Sequence, residues 1–158
     1  MNKWFYFNIL VLVLAIWVIV TSSTFPIIRI HILFGLLGLF FILFNWTRHA
    51  VFSTIRSSSD RNTKIKLANI SKKIMPFHRW IGTAALLLIM MHAWLTINRY
   101  GFYWQNGKMI SGLLTGIALI GMVVTGWMRL MKPSGKLRII HLRLGMILFF
   151  LIVIHIIF

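Results

Sequence analysis

Four histidines occur in two pairs with the same spacing. His78 and His92 lie fourteen residues apart, and so do His141 and His155. On an α-helix fourteen residues advance roughly 1400°, about 40° short of four full turns, and rise about 21 Å. Each pair therefore lies on one face of a helix, near its two ends. If the two helices lie side by side, the histidines meet at two levels, and each level can hold one haem iron between two imidazoles.

Histidines inside apolar helices also have other uses. A single one can be neutral and hydrogen-bonded to a neighbouring helix, but four on matching faces are costly and favour a function. A zinc ion would need three or four ligands at one point, and the separation of about 21 Å within each helix prevents this. Two histidines per level match axial haem ligation better. Because the chain contains no cysteine, two haems of this kind would be b-type and held without covalent bonds.

Glycine and arginine accompany the histidines. Gly82 and Gly145 each follow a histidine by four residues, one turn along the same face, where a flat macrocycle can pack against the backbone. Arg79, Arg138 and Arg143 lie near the same helix ends and can pair with the propionates of an inner haem. As snorkelling side chains that mark topology they need no ligand, and both interpretations are open.

Long apolar runs carry these residues. The chain has 158 residues, is 59% hydrophobic and has a mean hydropathy of +0.89. Apolar runs longer than about 17 residues favour membrane spans. The predicted spans cover about residues 4–20, 27–46, 78–97, 109–130 and 137–158, with a cytoplasmic loop at 47–77 and Pro76 in the first turn of the third span. The sequence predicts an all-α integral membrane protein, a single-domain bundle of five transmembrane helices with two haems between the third and fifth.

Basic residues are unevenly placed along this chain. It has 17 Lys and Arg and one acid, Asp60. Only three basic residues fall on one side of the predicted spans: Arg29, Arg99 and Lys108. The positive-inside rule then places the N-terminus and both basic loops in the cytoplasm and the C-terminus outside the cell membrane. The third and fifth spans run in the same direction in this topology, so His78 shares a level with His141, and His92 with His155.

The histidine pairs of the third and fifth spans, with HRWIG opening the third, resemble the ferric reductase-like transmembrane domain over about residues 27–158. That family includes ferric-chelate reductases, NADPH oxidases and the haem-bearing membrane subunit of methionine sulfoxide reductase systems. The resemblance implies that His78 and His141 bind an inner haem b and that His92 and His155 bind an outer one. It also implies an oxidoreductase, or an electron-transfer component of one, that carries electrons from the cytoplasm to the exterior.

The sequence departs from this family in three ways. It stops three residues after His155, before the family's sixth span, and it has no GxGxxG or other flavin- or nicotinamide-binding segment. Thr96, one turn beyond His92, stands where oxygen-reducing members have a further histidine. We therefore expect a separate electron donor, either a flavoprotein or a quinol, and an external acceptor. A partner subunit or a second copy that supplies the sixth helix is an open alternative.

Two residue pairs at the ends of the second span allow several roles. Arg29 and His31 can line an acceptor site, hold an outer propionate or anchor the helix at the interface. Arg48 and His49 can shuttle a quinol proton or cap the cytoplasmic end. The basic loops suit anionic lipid and an acidic flavoprotein, and no nucleic acid is expected because no separate domain presents these charges. The alternative function is a non-redox accessory or assembly subunit whose histidines only pack or bind a transported cation.

Overall fold

The computed structural model describes residues 3–22 and 29–158, and these form five α-helices. The helices are α1 (Lys3–Ser22), α2 (Ile30–Ser57), α3 (Arg61–Tyr100), α4 (Gly107–Met131) and α5 (Gly135–Ile157). All five are long and apolar enough to cross a membrane. This confirms the prediction of an all-α protein with five such helices. The first two residues of the predicted second span, 27 and 28, lie outside the described residues.

The predicted loop at 47–77 is helical except at residues 58–60. α2 continues to Ser57, and α3 begins at Arg61 and runs for 40 residues. A helix of that length is about 60 Å long, twice the hydrocarbon thickness of about 30 Å, so α3 is longer than one membrane crossing requires. Pro76 lies inside α3 and not in the first turn of a helix. It cannot donate to the carbonyl four residues earlier.

Side-chain caps and one glycine mark the helix ends. Asp60 begins α3 by accepting hydrogen bonds from two backbone N–H groups of the first turn, at 3.1 and 2.9 Å. Asn106 and Ser134 each accept one such bond at the start of α4 and α5, both at 3.2 Å. These side chains replace partners that a helix N-terminus lacks. Gly101 follows α3 with φ at +73°, where residues with a side chain are rarely found.

The five helices pack as a ring. α1 packs against α2, α2 against α3, α3 against α4 and α4 against α5, and α5 packs against α1. Among the described residues, no Cα atoms of α3 and α5 come within 8 Å of each other. The expectation that the two histidine-bearing helices lie side by side is therefore wrong. They face each other across the bundle, with α4 between them on one side and α1 and α2 on the other.

Apolar side chains fill the middle of the ring. The buried core comes from α1, α2, α4 and α5 and consists of Val11, Ala15, Leu39, Leu43, Ala118, Leu119, Leu148, Phe149 and Ile152. On α3, Ala85 is fully buried, and Leu86 and Ile89 pack against this core. Ala85 is midway in sequence between His78 and His92. The apolar core therefore separates two levels of the bundle, each carrying one histidine of α3.

Candidate functional site

The four histidines meet in two pairs across the bundle. The ring centroids of His78 and His141 are 6.3 Å apart, with the ring planes at 73°. Those of His92 and His155 are 6.4 Å apart, with the planes at 82°. The first histidine of α3 pairs with the first of α5, and the second with the second, so these helices run parallel. This confirms the pairing and the relative helix direction expected from spacing and charge.

The separation within each pair suits one metal atom held from both sides. A bond between a metal and an imidazole nitrogen is about 2 Å long and the ring centroid lies roughly 1.1 Å beyond that nitrogen, so two opposed imidazoles have centroids about 6.3 Å apart. Aromatic rings in edge-to-face contact cover the same range of distances. The position of the ring protons therefore decides between these two kinds of contact.

Hydrogen bonds from α4 determine which nitrogen of each α5 histidine carries the proton. Nδ1 of His141 lies 3.0 Å from the Thr125 hydroxyl, which already donates its own hydrogen to the Gly121 carbonyl at 2.7 Å. Nδ1 of His155 lies 3.0 Å from the Lys108 carbonyl, and a carbonyl can only accept. In the neutral form of both rings Nδ1 is therefore protonated, and Nε2 keeps a free lone pair.

The two α3 histidines differ from each other. Nδ1 of His92 donates to the His31 carbonyl at 2.6 Å, so Nε2 is again the unprotonated nitrogen. The outer pair, His92 and His155, therefore has no ring N–H left for a hydrogen bond between the two rings. The two free Nε2 lone pairs could both bind one metal atom. In the inner pair, Nδ1 of His78 is buried and has no partner among the described residues. Asn45 donates to the His78 backbone carbonyl at 3.0 Å.

Two glycines, one on α2 and one on α4, lie directly behind the outer rings. A Cβ atom at Gly35 on α2 would lie 2.9 Å from Nδ1 of His92. A Cβ atom at Gly112 on α4 would lie 2.9 Å from Cε1 of His155. Both distances are shorter than van der Waals contact, which is about 3.5–4.0 Å between carbon atoms. Only glycine at these positions allows the rings to lie where they do.

The two glycines proposed from the sequence have other neighbours. A Cβ atom at Gly82 would lie 3.4 Å from the Asn45 side chain. At Gly145 it would lie 3.0 Å from the Trp46 indole and 3.5 Å from Met122. The space beside Gly145, which the sequence assigns to a macrocycle, is therefore occupied by side chains of α2 and α4. Both glycines allow close helix packing next to the inner pair.

Three arginines from three helices lie near His78 of the inner pair. Arg48 of α2, Arg79 of α3 and Arg129 of α4 all lie within electrostatic range of the His78 ring. Nε of Arg48 is buried without a hydrogen-bond partner among the described residues, and its NH2 group reaches the Met75 thioether at 3.1 Å. A thioether is a weak acceptor for a guanidinium group. The inner level is therefore strongly positive and short of acceptors.

The other two arginines expected at the inner level are on the outside of α5. Arg138 and Arg143 are both exposed, and Arg79 alone of the three predicted arginines lies close to the inner pair. The chain's single acid, Asp60, does not balance this charge because it caps α3. Hydrogen bonds donated to its carboxylate by the Thr63 hydroxyl and the Thr63 backbone N–H lower the pKa of Asp60. Its carboxylate is thus already hydrogen-bonded elsewhere.

Arg29 and His31 lie beside the outer pair, as their position in the sequence suggests. The His31 ring is 6.3 Å from the His92 ring and 5.6 Å from the Tyr100 ring, measured between centroids. Arg29 donates a hydrogen bond to the Tyr100 hydroxyl. The Arg99 guanidinium lies 5.7 Å from the centroid of the same ring. Two cations and two aromatic side chains therefore adjoin the outer level.

His49 is part of an aromatic stack. Its ring stacks on Trp46 at 5.1 Å with the planes at 18°, and the Trp4 ring meets its edge at 5.0 Å. Trp46 stacks in turn on Phe149 at 5.1 Å. These contacts join α1, α2 and α5 and give His49 a packing role. Proton transfer by His49 stays a prediction.

No three His, Cys, Asp or Glu side chains come together as a metal-binding group within residues 3–22 and 29–158. Among those residues, each level brings two histidine rings together. Comparisons with protein-family models, with curated proteins and with solved structures give no match.

Proposed function

We propose that this protein is a transmembrane dihaem b cytochrome that carries electrons from a cytoplasmic or quinol donor to an external acceptor. The observation that supports this best is the outer pair. His92 and His155 each commit Nδ1–H to a backbone carbonyl, and their ring centroids are 6.4 Å apart. Two imidazoles in this state are ready to bind one iron atom. A bound haem would supply a one-electron carrier at each level.

The surroundings favour haem over a bare metal ion. Two imidazoles are too few for zinc, whereas a porphyrin supplies four further nitrogen ligands of its own. Among the described residues the backbones of α3 and α5 stay more than 8 Å apart between Cα atoms, which suits a flat group between them. The unbalanced charge of Arg48, Arg79 and Arg129 suits the propionates of an inner haem. Arg48 and Arg129, which the sequence analysis did not assign to the inner haem, join Arg79 in this role.

The side chains have separate tasks in this proposal. Each histidine pair would hold one haem iron, and the haem would then supply one-electron transfer without binding oxygen or other small ligands. The apolar core around Leu86 and Leu148 excludes water between the levels. Arg29 and Arg99 make the outer end positive and attract an anionic acceptor. The basic ends of the helices on the other side attract an acidic donor protein, with strong salt dependence.

Replacement of single histidines tests the proposal. His92→Ala and His155→Ala should each remove the outer haem and retain the inner one, whereas His78→Ala should remove the inner one. His49→Ala is the matched control because that histidine lies outside both pairs, and it should keep two haems. The measurement is haem per chain by pyridine haemochrome, with low-spin absorption bands. Equal haem content in His92→Ala and His49→Ala would contradict the proposed ligands.

Reoxidation of the reduced protein identifies the acceptor class. Mixing it with a ferric chelate, with oxygen or with an oxidised quinone distinguishes a reductase, an oxidase and a quinone-linked carrier by which reagent restores the oxidised spectrum. An accessory or assembly subunit predicts something different: no haem, and histidine substitutions that alter partner binding and leave colour unaffected. A protein that is colourless when purified from haem-replete cells would support that alternative.

A further inference from the structure

Helix α4 carries a repeat that matches the histidine spacing of α5. Ser111-Gly112 and Thr125-Gly126 are fourteen residues apart, the same interval that separates His141 and His155. α4 and α5 are joined by a short turn and are antiparallel. The Ser-Gly pair therefore meets His155, and the Thr-Gly pair meets His141.

Each hydroxyl of the repeat contacts Nδ1 of one histidine. Thr125 Oγ1 lies 3.0 Å from Nδ1 of His141, and Ser111 Oγ lies 3.3 Å from Nδ1 of His155. Ser111 donates its own hydrogen to the Lys108 carbonyl at 3.0 Å, as Thr125 does to a carbonyl of α4. Both hydroxyls are therefore acceptors for Nδ1–H, which His155 shares between Ser111 and the Lys108 carbonyl. Both residues are buried, at 4% and 9% exposure.

The glycine of each pair lies behind the same ring. A Cβ atom at Gly126 would lie 3.5 Å from Cε1 of His141, and one at Gly112 would lie 2.9 Å from Cε1 of His155. One hydroxyl group and one glycine of α4 thus define the position of each α5 histidine ring. Residue Thr115 shows that this is not a general property of α4 hydroxyls. It donates to the Ser111 carbonyl at 2.7 Å, and no hydrogen bond joins it to a histidine among the described residues.

We propose that Ser111 and Thr125 are positioning residues that set the ligand strength of His155 and His141. This inference rests on the proposed function. An acceptor on Nδ1–H makes the imidazole a stronger electron donor at Nε2 and stabilises the ferric state. Each ring also has a backbone carbonyl as an acceptor, Lys108 for His155 and Met122 for His141. The two levels differ in the hydroxyl contact, which is shorter at Thr125 (3.0 Å) than at Ser111 (3.3 Å). Loss of Thr125 should therefore affect the inner level more than loss of Ser111 affects the outer level.

The test compares Thr125→Val, Ser111→Ala and Thr115→Val in the full chain, with Thr125→Ser as the conservative variant. The measurements are haem content, low-temperature electron paramagnetic resonance and the midpoint potential of each haem by redox titration. Thr125→Val should lower inner haem affinity about 10- to 100-fold, as loss of an outer-shell partner commonly does, and raise the inner midpoint potential. A tenfold change in preference for the ferric state corresponds to about 59 mV for one electron.

The outcomes separate this inference from the proposed function. Thr115→Val and Thr125→Ser should leave both potentials unchanged, and Ser111→Ala should cause a smaller upward shift at the outer level alone. If Thr125→Val binds two haems with the potentials of Thr115→Val, the positioning role is wrong while the dihaem proposal stands. If Thr115→Val loses haem equally, the effect is one of folding and the positioning role is again wrong. If the unaltered protein binds no haem, both the positioning role and the dihaem proposal are wrong.

Discussion

One methyl group added behind His155 tests how tightly the ring of this histidine is packed against α4. The Cβ atom of Gly112→Ala would lie 2.9 Å from Cε1 and 3.2 Å from Nδ1 of that ring. Since carbon atoms pack at about 3.5–4.0 Å, the ring must move by roughly 0.6–1.1 Å. A metal site tolerates deviations of about 0.2 Å in ligand distance. The hydrogen bond from Nδ1 to the Lys108 carbonyl at 3.0 Å opposes the same movement.

The expected loss follows from the cost of overpacking. Forcing an extra carbon into a packed site costs about 1–3 kcal/mol, which corresponds to roughly 5- to 150-fold weaker binding of the outer haem. Gly116→Ala is the matched control, because it lies one turn further along α4 and nothing lies within 4 Å of its added Cβ atom. Titration of the haem-depleted protein with haem, followed by pyridine haemochrome, measures both variants.

The result depends on where the added atom lies. Gly112→Ala should lose outer haem at concentrations where the inner haem is retained, and Gly116→Ala should bind two haems with the affinities of the unaltered protein. Two haems with unchanged affinity in Gly112→Ala would refute the reasoning, since the His155 ring would then have no fixed position.

Three further predictions follow from the charged groups. Arg48→Gln should weaken inner haem binding about 10- to 150-fold, because a charge-assisted hydrogen bond contributes about 1.5–3 kcal/mol. Arg138→Gln should not weaken it, and equal loss in both variants would contradict the anion-binding role. Asp60→Ala should expose the start of α3 and speed amide exchange at Asn62 and Thr63, measured by hydrogen–deuterium exchange. Hydrogen bonds from Thr63 lower the Asp60 pKa, so the cap stabilises the helix fully at pH values above the ordinary carboxyl pKa. This stabilisation is lost as the pH falls through the lowered pKa. In the unaltered protein, amide exchange at Asn62 and Thr63 should therefore accelerate only in acid. Exchange rates that do not depend on pH, after correction for the intrinsic rate, would argue against the cap.

The two histidine levels were predictable because helical spacing is a local property. A fourteen-residue interval fixes a face and a height on any regular helix. Basic residues added the relative direction of α3 and α5. These two facts placed His78 opposite His141, and His92 opposite His155, without knowledge of the packing.

The groups that orient the histidines were not predicted, since they belong to other helices. Gly35, Ser111 and Thr125 matter because α2 and α4 flank the histidine pairs, and the order of helices around a bundle does not follow from hydropathy. One signal was present in the sequence. The interval between Ser111-Gly112 and Thr125-Gly126 equals the histidine interval, and an antiparallel pair of helices joined by a short turn would bring the two repeats together.

The extent of α2 and α3 was misjudged for a different reason. Residues 47–77 are rich in Lys, Arg, Ser and Asn, and polarity of this kind indicates exposure to solvent and not backbone conformation. Lys and Arg are good helix formers. The break is confined to residues 58–60, where Asp60 caps the next helix.

Haem stoichiometry of the unaltered protein tests the central claim most directly. The protein, purified from haem-replete cells in mild detergent, is quantified by amino-acid analysis, and its haem by pyridine haemochrome. The account predicts two b-type haems per chain, both low-spin with two imidazole ligands. A colourless protein, or a haem that remains after all four paired histidines are replaced, would contradict it.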